Sequence, residues 1–337
     1  MLYGLVVSIV LLIALSIHIA TRLEAIDSGI HASLAAFTTA NRSHIPTDNP
    51  AFLSFLAPDY HDSKEDSTAI DWYYTSLRIL GYQLMHAPGT KSRYPFLVAV
   101  TGRVNPAKRA QLAADGAVIV ELPPIHVLGQ SARKEFRDQM EKLSFFSLYD
   151  THGRFCYIDA DNLLLDNLDG IFEDPAAQLQ PTLSYKEEIK VDEPPLPTKY
   201  LMAGHSEGTG HHADKRTQNA RSGDYVNAGF ILFAPGPEIY DYYMWVANHT
   251  DRWETVWAEQ NLYNYAHRRP GNMPWTRIND NWNTFRPADI DMVRGTRSVH
   301  GHLWEDRYAG MRQQTWIGLR DEMTWFYGNR SQRLGVN

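Results

Sequence analysis

From residue 51 onward, apolar positions fall into short runs separated by stretches with helical spacing. Residues 51–57 (AFLSFLA) read as a strand, 72–85 (WYYTSLRILGYQLM) as a helix and 95–101 (PFLVAVT) as a buried strand. Residues 106–115 read as a helix with proline near its start, 117–121 as a strand, 134–149 as a helix and 155–159 (FCYID) as another strand. Strands alternating with helices predict parallel pairing, so the expected fold class is α/β with a doubly wound sheet. Ligands of such sheets sit at the carboxyl ends of the strands. The second half is less regular, with a strand at 225–233, helices at 237–248 and 257–268 and a short strand at 297–300. Between the halves, residues 178–223 are rich in Pro, Gly, His and charge and read as a long functional or mobile connection.

The N-terminus breaks this pattern. Residues 2–21 carry no charge, and at about 1.5 Å per helical residue they match the roughly 30 Å thickness of a bilayer core. The run exceeds the roughly 7 to 15 residues of a signal-peptide core, so an uncleaved signal anchor over 1–21 is expected in preference to a cleaved leader. Residues 22–50 lack hydrophobic periodicity and read as a stem, leaving 51–337 as the folded domain. This arrangement is a single-pass, type II protein of the Golgi or ER membrane with a lumenal domain; secretion after leader cleavage is the alternative. Sequons at Asn41, Asn248 and Asn329 fit lumenal exposure.

Composition narrows the chemistry. With 32 Lys plus Arg against 39 Asp plus Glu, the net charge is −7, which does not suggest a nucleic-acid partner. The chain is 44% hydrophobic and 12% aromatic, enough for a large core. Its one cysteine, Cys156, excludes an internal disulfide and a multi-thiolate zinc site.

The strongest local signal is Phe155-Cys156-Tyr157-Ile158-Asp159-Ala160-Asp161, an apolar strand running into Asp-x-Asp. Residues two apart in extended chain project to one side, so both carboxylates can face a single hard cation, with small Ala160 keeping the approach open. A strand-end turn capped by the aspartates is the competing reading of those residues alone.

Around this motif lie Lys142 to Tyr149 upstream and Leu163 to Phe172 downstream. Asp224-Tyr225-Val226-Asn227-Ala228-Gly229-Phe230 and Ala258-Glu259-Gln260-Asn261-Leu262 follow later. In this order the set resembles glycosyltransferase family 8, the glycogenin and galactinol-synthase-like retaining enzymes, in a fungal-type, membrane-anchored form. The resemblance covers about residues 52–304. It implies a GT-A fold with a mixed, mostly parallel central sheet, a UDP-sugar donor of glucose, galactose or N-acetylglucosamine type, and Mn²⁺. It also implies transfer with retention to a glycan, protein or lipid acceptor.

Carried over residue by residue, Asp159 and Asp161 are the metal-binding pair and His300 the third ligand, with His302 as its rival. Two carboxylates and an imidazole lean toward Mn²⁺, which neutralises a diphosphate leaving group. Tyr73 lies where an aromatic stacks on uracil, although Trp72 and Tyr74 flank it. Lys142 matches a lysine near the donor. Asp224, Asn227 and Gly229 match the segment lining the sugar pocket, and Glu259 and Gln260 match groups near the anomeric carbon. The family also has a glycine and a lysine at the third and sixth positions after its metal histidine; here Leu303 and Asp306 stand there, and Arg307 is the nearest cation.

That departure leaves a non-catalytic carbohydrate-binding or scaffold member of the fold as the alternative function. A metal-dependent hydrolase is less favoured because no water-activating base accompanies the aspartates. His205, His211 and His212 lack metal-ligand spacing, and the segment around them reads as an acceptor-side loop. Trp253, Trp257, Trp275, Trp282 and Trp304 are candidate sugar platforms, with core packing the commoner fate of such rings. Oligomeric state is open, a homodimer being one arrangement allowed.

Overall fold

The computed structural model describes residues 49–58, 70–131, 133–207 and 223–334. The expected anchor, most of the stem, Asn41, His211 and His212 lie outside them. Among the described residues no helix is long and apolar enough to cross a membrane.

The first half follows the predicted alternation closely. Strand β1 (Pro50–Leu56) leads to helix α1 (Trp72–Met85), whose N-cap Asp71 accepts the amide of Tyr74 at 2.8 Å. Strand β2 (Phe96–Thr101) leads to helix α2 (Pro106–Asp115), which Asn105 caps and Gly116 ends in the left-handed region at φ +118°. Strand β3 (Val118–Leu122) is followed by a helical segment of 3-10 type, Lys134–Asp150, where a helix was expected over 134–149. Strands β4 (Arg154–Ile158) and β5 (Asn162–Leu164) flank the Asp-x-Asp turn.

The expectation of one long connection over 178–223 is corrected. Besides the two-residue strands β6 (Gln180–Pro181) and β7 (Lys199–Tyr200), that stretch contains β8 (Met202–Ser206), a buried strand of the main sheet. Then follow β9 (Val226–Phe233), α3 (Pro237–Asn248), α4 (Ala258–Ala266), β10 (Thr276–Arg277), β11 (Thr284–Phe285), β12 (Ser298–His300) and α5 (Met311–Leu334). Of the sequons, Asn248 ends α3 with its side chain bonded to Met244 O and Leu128 N, and Asn329 lies within α5.

Among the described residues the main sheet has seven strands in the order β10-β8-β9-β4-β1-β2-β3. All neighbours are parallel except β9, which runs antiparallel to both β4 and β8. This is the mixed, mostly parallel central sheet expected. Alternate residues of β1 serve opposite cores, Leu53 and Phe55 on one face and Phe52 and Leu56 on the other. Both faces being covered explains why these strands read as unbroken apolar runs. Helix α5 packs Trp316, Met323 and Tyr327 against Ile79 and Tyr82 of α1.

A second, small sheet has the order β11-β12-β5. Its antiparallel β12–β5 register sets His300 opposite Asn162, the residue after Asp161. Thus a ladder between distant segments delivers a histidine to the end of the central strand.

Candidate active site

Strand β4 ends at Ile158, opposite Phe230 of β9, and the Asp159 amide donates to Gly229 O at 2.8 Å. The chain then turns, with Asn162 N donating to Asp159 O at 3.1 Å. The Gly301 amide donates to Asp161 O at 3.1 Å and ties the end of β12 to the same turn. Asp159, Asp161 and His300 consequently converge, each offering a ligand atom within 4.8 Å of the others. His300 Nε2 lies 3.1 Å from Asp161 Oδ1 and 3.8 Å from Asp159 Oδ2.

These spacings suit a small divalent ion, because two ligands each about 2.1 Å from an ion and at right angles stand about 3 Å apart. Charge agrees. The inner cluster holds the carboxylates of Asp159, Asp161 and Glu259 against the single ammonium of Lys142, an excess of two negative charges. Burial opposes a charged His300, yet Asp161 and then Asp159 outweigh it and raise the imidazole above its ordinary range. Burial likewise opposes the Asp161 carboxylate, but His300 holds it below the usual range. The arrangement attracts positive charge.

Gly229 makes room for the cluster. A β-carbon there would overlap His300 Cε1 and stand 2.6 Å from Asp159 Oδ2. Asn227, nearly fully buried, accepts the Gly229 amide at 2.9 Å and braces this stretch of β9.

Lys142, also buried, donates to Asp159 Oδ1 at 2.9 Å and lies 3.0 Å from Glu259 Oε1. Burial favours the neutral amine, but Asp159 and Glu259 together hold the ammonium well above its ordinary range. Glu259 itself is pushed up by burial and pulled back in part by Lys142. Gln260 Oε1 accepts the Ala228 amide at 2.9 Å, while Nε2 donates to Glu207 Oε1 at 2.9 Å and to the Tyr225 hydroxyl at 3.1 Å. Helix α4 therefore presents Glu259 to the ion-binding end and Gln260 to the neighbouring stretch of β9.

Of the three aromatics at the start of α1, Tyr73 faces the cluster. Its hydroxyl is 2.8 Å from His302 Nε2, and its ring meets Trp304 edge-on at 5.3 Å. Trp72 instead packs on Trp316, and Tyr74 packs on the core beneath Lys108. His302 stands 3.6 Å from Asp161 Oδ2, stacks on Trp304 at 5.0 Å and has Nδ1 2.7 Å from Glu305 Oε1. Arg307 Nη2 approaches that same Nδ1 at 3.0 Å, so a cation does reach the rim of the site. Leu303 is buried in the core, and Asp306 is exposed. Asp224 is not joined to the triad by any contact among the described residues; it is exposed and pairs with Arg269.

No protein-family model matches the chain. An uncharacterized protein of Schizosaccharomyces pombe is 26% identical over 77% of this chain and 78% of its own length. Galactinol synthase 7 of Arabidopsis thaliana is 26% identical over 52% of each chain. Among solved structures, the galactosyltransferase LgtC with donor and acceptor sugar analogues superposes with a TM-score of 0.43 and 14% identity, covering 81% of this chain and 95% of that one.

Several residues of the site escape the sequence reading. Tyr157 donates to Asp159 Oδ1, and Glu207 holds the Gln260 amide. Asn283, buried, donates to Asn162 Oδ1 and Ser298 Oγ at 2.7 Å each and supports the turn from behind. Tyr157 alone had a visible signal, since it lies two residues before Asp159 on an extended strand.

Proposed function

We propose that the domain is a retaining glycosyltransferase that moves a hexose-type sugar from a UDP-sugar to a glycan, protein or lipid acceptor. The observation that carries this is the convergence of Asp159, Asp161 and His300 over Gly229, at the carboxyl end of a central strand. The partial similarity to galactinol synthases supports sugar transfer from an activated donor.

In this reading Asp159, Asp161 and His300 hold Mn²⁺. Bound there, a divalent ion supplies Lewis-acid neutralisation of the departing diphosphate. Arg307, beside His302 and Glu305, takes the part of the absent lysine at the outer phosphate. Tyr73, 49% exposed, offers its ring to the base. Lys142 bridges Asp159 and Glu259, screens their mutual repulsion and holds both in place. Gln260, its amide fixed at both ends, presents carbonyl oxygen beside Ala228 and Gly229, where a sugar pocket would lie. Positive charge developing on the sugar is then offset by that dipole and by Glu259. No covalent nucleophile is required. Residues 1–21 would anchor the chain in a Golgi or ER membrane.

The test is Mn²⁺-dependent release of UDP from a panel of UDP-sugars, with Asp161→Ala as control. Release that requires Mn²⁺ and disappears in the variant supports the proposal. A folded protein that binds UDP but turns over no donor points to the scaffold reading. Resistance of the full chain to carbonate extraction from membranes tests the anchor.

A further inference from the structure

The two carboxylate oxygens of Asp159 face different neighbours. Oδ2 lies beside the Gly229 backbone and points toward His300. Oδ1 points away and takes two donors, Lys142 Nζ at 2.9 Å and the hydroxyl of Tyr157. The two donors differ in kind. Lys142 is shared with Glu259 at 3.0 Å, so its position serves two carboxylates. Tyr157 is only 1% exposed and spends its hydroxyl on Asp159.

The Tyr157 ring is itself held rigidly. It packs on Phe145 at 5.1 Å between centroids and lies under the Lys142 ammonium at 4.9 Å. Strand β4 places Tyr157 and Asp159 two residues apart on the same side, and the bond between them fixes rotation of the carboxylate about its terminal torsion.

We infer that Tyr157 is a positioning residue for the ion site: its buried hydroxyl locks Asp159 so that Oδ2 alone faces His300 and Asp161. This rests on the ion site proposed above. A partner of this kind orients a ligand without touching the ion, and removing one typically weakens metal binding about 10- to 100-fold. Tyr157→Phe keeps the ring, its packing and the cation–π contact while deleting only the hydroxyl.

The experiment measures Mn²⁺ affinity of the full chain by the electron paramagnetic resonance signal of free Mn²⁺, alongside the melting midpoint of the metal-free protein. For Tyr157→Phe the expected result is Mn²⁺ binding weakened about tenfold or more, with the melting midpoint close to the parent. Unchanged affinity, or a lowered midpoint without weaker binding, overturns the inference and leaves Tyr157 a packing residue. Asp161→Asn is measured in parallel to separate this from failure of the ion site itself. If that variant binds Mn²⁺ like the parent, the site is wrong; if it loses binding while Tyr157→Phe does not, only the positioning role fails.

Discussion

The ring of His300 abuts the chain at Gly229, in space that any β-carbon would need. A methyl group there would overlap Cε1 and come within 2.6 Å of Asp159 Oδ2 and 2.9 Å of His300 Nδ1. Neither neighbour is a flexible tip, since His300 ends β12 and Asp159 is held through Oδ1. Gly229→Ala is therefore expected to separate the triad, weakening Mn²⁺ binding about 100-fold while overpacking lowers stability by about 1–3 kcal/mol. Mn²⁺ titration and urea denaturation of the variant measure both effects. Parent-like Mn²⁺ affinity would mean that the ring and the backbone need not meet.

Lys142 is buried between two carboxylates, one of them, Glu259, buried with it. Lys142→Met leaves Asp159 and Glu259 facing each other without a counter-ion, and losing one partner of such a buried cluster costs about 3–5 kcal/mol. Adding Glu259→Gln should restore part of that loss by removing one unpaired charge. Urea unfolding of the single and double variants checks this. Equal stability of the two would show that Glu259 and Lys142 are not coupled.

Much of this arrangement is legible in the chain because the signals are local. Helices α1, α2 and α3 begin and end at the residues the pattern predicts, and Asp71, Asn105 and Gly116 supply two of them with caps visible in sequence. Strand β8 is different: Met202–Ser206 (MAGHS) has no apolar run, and its burial comes from β9 beside it. Helix α5 spaces its buried residues Trp316, Met323 and Tyr327 thinly among charged ones, so α1 rather than intrinsic pattern decides its inner face. In the site, Asp159, Asp161 and His300 were legible by residue type and strand position. Lys142 was expected near the donor; its bonds to Asp159 and Glu259 join it to the same cluster through partners that no local pattern encodes.

Gln260 and Glu207 offer a sharper test of the sugar side. The Gln260 amide nitrogen donates to Glu207 Oε1 at 2.9 Å, so Gln260→Glu would set two carboxylates in contact. Like charges at that distance share a proton, raising the apparent pKa of the pair. Below that pKa the shared proton rebuilds the hydrogen bond; above it the charges repel and α4 is pushed from β9. UDP release by the variant should thus fall about tenfold near neutral pH and recover toward the parent as pH drops to about 5. A variant whose deficit is the same at every pH would show that Glu207 does not position this side chain.

Stability should also weaken in mild acid through a histidine remote from the site. His267 is fully buried; its Nδ1 donates to Met273 O at 2.6 Å, and its Nε2 accepts from the Tyr243 hydroxyl. Burial pushes its pKa down to about 4 from an ordinary 6.5. Between those values the unfolded chain binds a proton that the folded chain refuses, so unfolding gains as pH falls. The sign is therefore loss of stability on acidification, starting near pH 6.5 and complete near pH 4, with none of the effect above neutrality. The shift corresponds to about 3 kcal/mol at most. His267→Gln retains a donor and an acceptor but does not titrate, so its unfolding free energy should fall less steeply over that interval. Urea unfolding at a series of pH values compares the slopes. Parallel curves for parent and variant would show that His267 takes up its proton in the folded state, against the burial and hydrogen bonding found around it.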